Sequence, residues 1–262
     1  MYIDSHCHLF YDDFTNDIAD VLARAESAGV TKFVVPATNY KTTLQALTLA
    51  DRYPSLSVSI GFHPLDLEHF SGENFEALKL LVSHPKVVAI GEIGLDYFYD
   101  TSPRDFQREI FIRQIEFAVQ QDLPIIVHTR DSMEDAIEIV TGIAREHGQW
   151  KREGIRGVFH CFTGSAKQAN ILIENRFYVS FPGPITFKKN EVMAQTVKAI
   201  GIEHIMLETD APFLTPVPFR GKRNEPSYIP LIAQKISEIT GVSVEEIARQ
   251  TTANAKRLFT LR

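Results

Sequence analysis

Short apolar runs alternate with segments of helical period along nearly the whole chain, and this alternation constrains the fold more than any other feature. Eight runs have the length and the β-branched or aromatic content of strands: 2–4, 33–37, 56–62, 87–93, 124–128, 157–162, 177–181 and 204–208. Most are nearly continuously apolar, which is typical of parallel strands covered by helices. Eight such strands within 262 residues predict an α/β fold, specifically a (β/α)8 TIM barrel. A doubly wound open sheet is the alternative.

Serine residues mark the starts of several predicted helices. Ser132 and Ser165 each precede a segment with apolar residues at helical spacing. Near the C-terminus, Ser243 and Glu246 have the spacing of a capping box ahead of the last predicted helix. No linker or low-complexity tract interrupts this order, so residues 1–262 are expected to form a single domain.

Composition argues against several classes of function. Charged residues make up 23% of the chain and hydrophobic residues 44%, and no apolar run is long enough to span a membrane. A net charge of −6 argues against a broad basic surface that coats nucleic acid, although not against a local phosphate pocket. No secretory signal is visible, so we expect a cytoplasmic protein without an obligate protein partner. Cys7 and Cys161 are then expected to be reduced, with a lone disulfide as the alternative.

Side chains of metal-ligand type lie at the ends of the predicted strands. In a TIM barrel, the active site is at the C-terminal ends of the strands. His6 and His8 are two residues apart after the first run, so an extended backbone points both imidazoles to one side. Later strand ends add His63, Glu92, His128, His160 and Asp210. Each has an ordinary alternative, since Glu92 can pair with an arginine and Asp210 can shape a turn. Their joint placement at the strand ends favours a metal site.

The chain resembles the TatD family of metal-dependent hydrolases in six segments: SHCH, GEIGLDY, VHTRD, HCFTGS, LETDAPFL and GKRNEP. The resemblance extends over nearly the whole chain, from residue 3 to the end of the last predicted helix. It implies a TIM barrel with a divalent-metal site, similar to the wider amidohydrolases. Many amidohydrolases carry a modified lysine at the fourth strand, and Glu92 stands there instead, which favours the TatD branch. Characterised members of this family include DNases, notably with 3′ to 5′ exonuclease activity on single strands.

Two divalent ions per chain, and the residues that hold them, are also implied by the resemblance. Glu92 would bridge two ligand sets, the first of His6, His8, Glu92 and Asp210 and the second of Glu92, His128 and His160. Four imidazoles with two carboxylates suit Zn²⁺, Mn²⁺, Fe²⁺ or Co²⁺ better than Mg²⁺, although nuclease members can work with added Mg²⁺. Two ions, two carboxylates and a hydroxide leave a charge of roughly +1, which favours an anionic phosphodiester over a neutral amide.

The leading hypothesis is therefore a metal-dependent hydrolase, a deoxyribonuclease that cleaves phosphodiester bonds at DNA or RNA ends with a metal-activated water. An ester or amide hydrolase, for example a D-aminoacyl-tRNA deacylase, is the alternative within enzymes. A non-enzymatic scaffold is the third possibility, and the intact set of six ligands argues against it.

Catalytic and substrate-binding roles can be assigned to four residues. Asp210 is the candidate general base, with a role as a ligand only as its alternative, and Glu92 is the second catalytic candidate. His63 is expected to touch the substrate or the leaving group. Arg223 is the preferred phosphate contact, because a guanidinium fork matches two phosphate oxygens.

The sequence leaves the roles of other residues near the strand ends open. Glu208 either orients a ligand or forms a buried pair with a cation. Arg130 either pairs with Asp96 or reaches the substrate. Phe98 and neighbouring aromatic residues either stack on a base or pack at the rim of the site.

Overall fold

The eight strands within the described residues form one parallel sheet. The computed structural model describes residues 1–99, 101–151 and 154–261. The strands are β1 (Tyr2–Asp4), β2 (Val30–Pro36), β3 (Leu56–Ile60), β4 (Val87–Asp96), β5 (Ile125–Arg130), β6 (Gly157–Phe159), β7 (Phe177–Phe181) and β8 (Ile205–Leu207). They pair in sequence order from β1 to β8. Each predicted strand is present, with boundaries that shift by a few residues.

Hydrogen bonds between the first and last strands close this sheet. The Ser5 N–H donates to Leu207 O over 3.0 Å, and just beyond the strands the Asp210 N–H donates to His6 O over 2.9 Å. A parallel bridge between Cys7 and Ala211 continues the contact. The TIM barrel is therefore confirmed, and the open-sheet alternative is wrong, because an open sheet would leave these edges unpaired.

Helices follow the strands around the outside of the barrel. They are α1 (Ile18–Ser27), α2 (Tyr40–Arg52), α3 (Gly72–Leu80), α4 (Arg104–Gln120), α5 (Met133–Glu146), α6 (Ala166–Glu174), α7 (Glu191–Ile200), α8 (Ile229–Thr240) and α9 (Val244–Phe259). Ser165 and Ser243 cap α6 and α9 with their side chains, as predicted. Ser132 precedes α5 without capping it, because its hydroxyl donates to Leu95 O over 2.7 Å. No helix in the described ranges is both long and apolar enough to cross a membrane.

The last helix closes the end of the barrel where the strands begin. Seven strands contribute interior side chains to a cluster that Ala255, Leu258 and Phe259 of α9 complete: Ile3, Val34, Ala89, Ile126, Val158, Tyr178 and Met206. Asn254 fixes α9 in place by donating to the carbonyls of Ile202 and Ile205. We call this cluster the apolar floor of the barrel. Because it fills the end where the strands begin, polar side chains can gather at the opposite end, where the strands finish.

Strand β4 departs from regular pairing where it approaches β5. Ile90 is opposite Ile125 and Ile93 is opposite Val127, so three steps on β4 match two on β5. Such a bulge changes the direction of the side chain inside it, which here is Glu92. Gly94 has φ 148°, and a Cβ there would lie 2.0 Å from His128 O. The absence of a side chain at Gly94 therefore allows β4 to approach β5 closely, next to Glu92.

Candidate metal centre

Six polar side chains meet inside the mouth of the barrel. His6 and His8 follow β1, Glu92 and His128 lie in β4 and β5, and His160 and Asp210 follow β6 and β8. The structure therefore brings together every residue that the sequence predicted as a metal ligand. All six side chains are largely buried, and the most exposed are His128 at 17% and Asp210 at 14%.

One face of this cluster is formed by residues after the first and last strands. The Nε2 atoms of His6 and His8 are 3.2 Å apart. Glu92 Oε2 lies 3.3 Å from His6 Nε2 and 3.5 Å from His8 Nε2. Asp210 Oδ1 lies 3.6 Å from His6 Nε2 and 3.4 Å from His8 Nε2. Two nitrogens and two carboxylate oxygens thus surround one small volume.

The other carboxylate oxygen of Glu92 faces a second set of imidazoles. Glu92 Oε1 is 2.8 Å from His160 Nε2 and 3.0 Å from His128 Nδ1. Those two nitrogens are 3.2 Å apart. His63 Nε2 also approaches Glu92 Oε1, at 3.3 Å. Glu92 is therefore the residue that connects the two sets.

The donor atoms fit a divalent cation in both number and spacing. Nitrogen and oxygen ligands about 2.1 Å from a tetrahedral ion lie ~3.4 Å from one another, which is close to the separations in the first set. Imidazole nitrogens and carboxylate oxygens are common ligands of Zn²⁺ and of the other transition metals predicted from the sequence. His6, His8 and Glu92 also satisfy the mutual distances of a possible metal-ligand group, as do His63, Glu92 and His128.

Charges inside the cluster favour ionised carboxylates. Burial alone would raise the pKa of Glu92, but the imidazoles of His160, His63 and His6 outweigh burial and hold that pKa well below its usual value. Burial likewise opposes ionisation of Asp210, and hydrogen bonding from His8 with nearby imidazole charge lowers its pKa overall. Protons on the imidazoles balance these carboxylates, so binding of a cation here would release protons.

Hydrogen bonds from the surrounding residues orient the imidazoles. His128 Nε2 lies 3.2 Å from Asp96 Oδ2, and His8 Nδ1 lies 3.1 Å from Pro36 O. Partners of this kind fix the ring that presents its other nitrogen to a metal. Asp96 was not predicted in this role, although its place in the GEIGLDY segment, four residues after Glu92, is a signal for it.

Glu208 supports the segment that carries His160. One of its oxygens accepts the Cys161 N–H over 2.6 Å, and the other accepts the Ser180 hydroxyl over 2.6 Å. Its Oε1 lies 3.7 Å from His160 Nδ1. These contacts favour the ligand-orienting role over the buried pair with a lysine or arginine.

Asp4 joins the ends of β1 and β8 beneath the cluster, a role the sequence analysis missed. Asp4 Oδ1 accepts the His6 N–H over 3.2 Å and the Thr209 N–H over 3.0 Å. Its Oδ2 accepts the Thr209 hydroxyl over 2.5 Å. Burial raises the pKa of Asp4 to about 7. The sequence signal for this role was the polar side chain of Asp4 itself, two positions before His6.

Asn224 holds the segment around Asp210 from the other side. Its side-chain amide donates to Thr209 O over 2.8 Å and to Phe213 O over 2.5 Å. Its backbone N–H donates to Pro212 O over 3.0 Å. Asn224 is fully buried. The GKRNEP segment therefore positions Asp210 through hydrogen bonds from Asn224 to the backbone carbonyls on either side of Asp210.

His63 and Arg223, the two substrate-binding candidates, differ in their placement. His63 lies in the cluster, as described above. Arg223 does not: its guanidinium makes two hydrogen bonds to Asp17, at 2.9 and 2.7 Å, donates to Asp13 O and lies over the Phe14 ring. Arg223 is also absent from the described lining of the cleft at the cluster. This placement does not favour the predicted phosphate contact, because the carboxylate of Asp17 occupies the guanidinium fork.

A cleft of about 680 Å³ opens above the cluster. His8, His128, His160 and Asp210 line its base, and the other described residues of its wall include Tyr11, Thr38, Asp66, Tyr99, Arg130 and Phe213. This volume is within the range of small-molecule and cofactor sites. A substrate can therefore reach the polar side chains from solvent.

Comparison with known proteins assigns this barrel and its polar mouth to a family. Residues 3–260 match the family described as TatD related DNase. The chain belongs to the TatD family. It is 44% identical to the uncharacterized metal-dependent hydrolase YabD of Bacillus subtilis, over 99% of each chain. It is 33% identical to the 3′-5′ ssDNA/RNA exonuclease TatD of Salmonella typhimurium, over 98% of each chain.

Solved structures agree with this TatD assignment. The crystal structure of YJJV, a TatD homologue from Escherichia coli K12, superposes with a TM-score of 0.92 and 31% identity. The match covers all of this chain and 98% of that one. The resemblance seen in the sequence is confirmed, and the chain is a metal-dependent hydrolase of the TatD family.

Proposed function

We propose that this TatD-family chain hydrolyses phosphodiester bonds at the ends of single-stranded DNA or RNA. The observation that carries the proposal is the position of Glu92, which directs one oxygen to each of two imidazole sets. A bridging carboxylate between two cation sites is suited to phosphoryl transfer, where attacking and leaving oxygens both need stabilisation. The relative named as a 3′-5′ ssDNA/RNA exonuclease supports this substrate class.

The proposal assigns two divalent ions to the cluster. The ligand sets are His6, His8, Glu92 and Asp210 for one ion, and Glu92, His128 and His160 for the other. Zn²⁺, Mn²⁺, Fe²⁺ and Co²⁺ suit these donors best, and Mg²⁺ is retained for the assay. Bound there, such ions would lower the pKa of a coordinated water towards ~7 and offset the charge of a phosphate.

Asp210 serves as the general base. Its side chain retains 14% exposure in the cleft, whereas that of Glu92 retains 3%, so Asp210 is the carboxylate that an incoming water meets. The surrounding imidazoles keep the pKa of Asp210 low, and it is therefore ionised at neutral pH. It accepts a proton as the water oxygen bonds to phosphorus and the bond to the leaving oxygen breaks, and the leaving oxygen takes up a proton from solvent.

His63 contacts the substrate or its leaving oxygen. Its Nδ1 accepts the Leu65 N–H over 3.1 Å, so the proton of the neutral ring resides on Nε2. Nε2 points into the cluster, 3.3 Å from Glu92 Oε1. A phosphate oxygen in the cleft would therefore meet a donor at this atom.

The proposal also retains a cytoplasmic location. Cys7 and Cys161 are both free thiols, as expected for a reducing compartment.

Incubation with single-stranded DNA and RNA across a panel of divalent metals tests the function. Wild-type protein should release nucleotides, and Asp210→Asn should lower kcat at least 100-fold with little change in fold. Asp51→Asn is the matched control, because this carboxylate is 62% exposed near the end of α2, away from the cleft. No nucleotide release with any metal would reject the nuclease proposal. Cleavage of a D-aminoacyl-tRNA in that case would favour the ester-hydrolase alternative.

Elemental analysis tests the metal sites separately from activity. After reconstitution and removal of excess metal, the proposal expects two divalent ions per chain. Absence of bound metal under every condition would overturn the assignment of the six ligands.

A further inference from the structure

Arg130 lies at the wall of the cleft, two residues after His128 on β5. Two strand residues advance about 6.6 Å, which is comparable with one backbone repeat of an extended nucleic acid strand. The Arg130 side chain is exposed and lines the same cleft as His128 and Asp210. The backbone of Arg130 is therefore displaced from that of His128 by about the length of one nucleotide.

Two aromatic rings support the Arg130 guanidinium. Its Cζ lies 3.8 Å from the ring centroid of Phe98 and 4.7 Å from that of Tyr99. These cation–π contacts restrict the guanidinium and leave its N–H donors able to bind an anion. Both rings are about half exposed, which is unusual for aromatic side chains that only pack.

A buried carboxylate fixes this support relative to the cluster. Asp96 Oδ1 accepts the backbone N–H groups of Phe98 and Tyr99 over 3.0 and 3.1 Å. Asp96 Oδ2 lies 3.2 Å from His128 Nε2. One side chain thus connects the aromatic support directly to an imidazole of the cluster.

The donors of Arg130 are available to a ligand within the part of the chain that the structure describes. Arg24, Arg108 and Arg223 each pair with a carboxylate, at 2.7, 2.6 and 2.7 Å. Arg130 has no such partner among residues 1–99, 101–151 and 154–261. The alternative that Arg130 pairs with Asp96 is not supported, because Asp96 is occupied by backbone donors and by His128.

The positive charge of Arg130 distinguishes it from the other charged residues that line the cleft. The described residues that line it include the carboxylates of Asp66, Asp96, Asp131 and Asp210, and Arg130 is the one lysine or arginine among them. A phosphate beyond the cluster would be repelled by these carboxylates. Arg130 is where the wall attracts it.

We propose that Arg130, supported by Phe98 and Tyr99, binds the phosphate adjacent to the scissile one. This inference rests on the proposed nuclease function and adds a specificity determinant to it. A substrate with a second phosphate gains the contact, whereas a diester with a single phosphate does not. The chain should therefore prefer oligonucleotides over small phosphodiesters through this residue.

Arg130→Gln tests the proposal with two substrates, a thymidine hexanucleotide and bis(p-nitrophenyl) phosphate. We expect kcat/KM for the hexanucleotide to fall about 10- to 100-fold, the range for a hydrogen bond between charged groups, with little change for the small diester. Phe98→Ala should give a smaller loss on the hexanucleotide alone. Arg113→Gln is the matched control, since Arg113 also lies over two aromatic rings, Phe70 and Phe75, but outside the cleft lining.

A hexanucleotide with one neutral methylphosphonate next to the scissile bond identifies the contacted group. In wild-type protein the neutral linkage should lower kcat/KM as much as Arg130→Gln does, and in the variant it should cause no further loss. Equal losses on both substrates, or losses that multiply, would overturn the inference while leaving the nuclease function intact. Failure of wild-type protein to cleave either substrate with any metal would instead reject the proposed function, and this inference with it.

Discussion

Asn224→Asp replaces one atom at the centre of the segment that positions Asp210. In the wild type the side-chain amide donates to Thr209 O and Phe213 O, and Oδ1 accepts the Glu225 N–H over 2.9 Å. The variant keeps the size of the side chain and its acceptor. It places a carboxylate oxygen opposite two buried carbonyl oxygens, at distances of 2.8 and 2.5 Å in the wild type.

The expected cost equals or exceeds that of deleting the side chain beyond Cβ. Asn224→Ala removes three hydrogen bonds that contribute about 1 kcal/mol each, so it should lower the free energy of unfolding by about 3 kcal/mol. Asn224→Asp loses only the two hydrogen bonds that the amide donates, about 2 kcal/mol, but its repulsive, unpaired carboxylate adds about 1–3 kcal/mol, which gives about 3–5 kcal/mol in all. Native domains have about 5–15 kcal/mol in total, so either variant should shift the unfolding midpoint clearly.

Urea unfolding in the presence of a chelator measures this cost without a contribution from metal binding. Burial and the facing carbonyls should raise the pKa of the new carboxyl in the folded state above its unfolded value of about 3.9. The stability deficit is then complete above the raised pKa and shrinks as the pH falls towards ~4. Wild-type stability in Asn224→Asp, or a deficit independent of pH, would refute the reasoning about Asn224.

Three further substitutions probe the bridge, the strand contact and the barrel floor. Glu92→Gln should remove more than half of the bound metal, because both oxygens face imidazole sets, and retention of two ions in elemental analysis would contradict the bridging role. Gly94→Ala places a Cβ 2.0 Å from His128 O and should lower the free energy of unfolding by about 4 kcal/mol or more in urea denaturation. Gly142→Ala is the control: its Cβ lies in open space on α5, so it should raise the free energy of unfolding by about 1 kcal/mol. Leu258→Ala should destabilise the apolar floor by about 2–5 kcal/mol in thermal unfolding and leave kcat at 25 °C unchanged; a changed kcat would show that the floor affects the site.

The sequence predicted the barrel because its strand signals are local. Most runs are apolar throughout, and eight runs that alternate with helical segments match few other architectures. The same pattern predicted where the metal-ligand side chains lie, because parallel strands in a closed barrel all end at the same side of it. His6 and His8 converge by the two-residue period of an extended chain, which needs no tertiary information.

The fold brought together residues whose relation the sequence does not encode locally. Asp4 and Thr209 are 205 positions apart, and hydrogen bonds join them only because β1 and β8 close the barrel. The bulge in β4 likewise depends on pairing with β5, so the direction of the Glu92 side chain could not be read from its neighbours.

Arginine partners show the limit of the sequence most clearly. Arg223 and Arg130 both stand in motifs at the mouth of the barrel, and from residue type alone either guanidinium can bind phosphate. In the fold, α1 brings Asp17 to Arg223, whereas Arg130 rests on aromatic rings in the cleft. The sequence determined the kind and number of charged groups, but only the tertiary structure decided which carboxylates lie within ion-pair distance, because electrostatic pairing depends on separation in space.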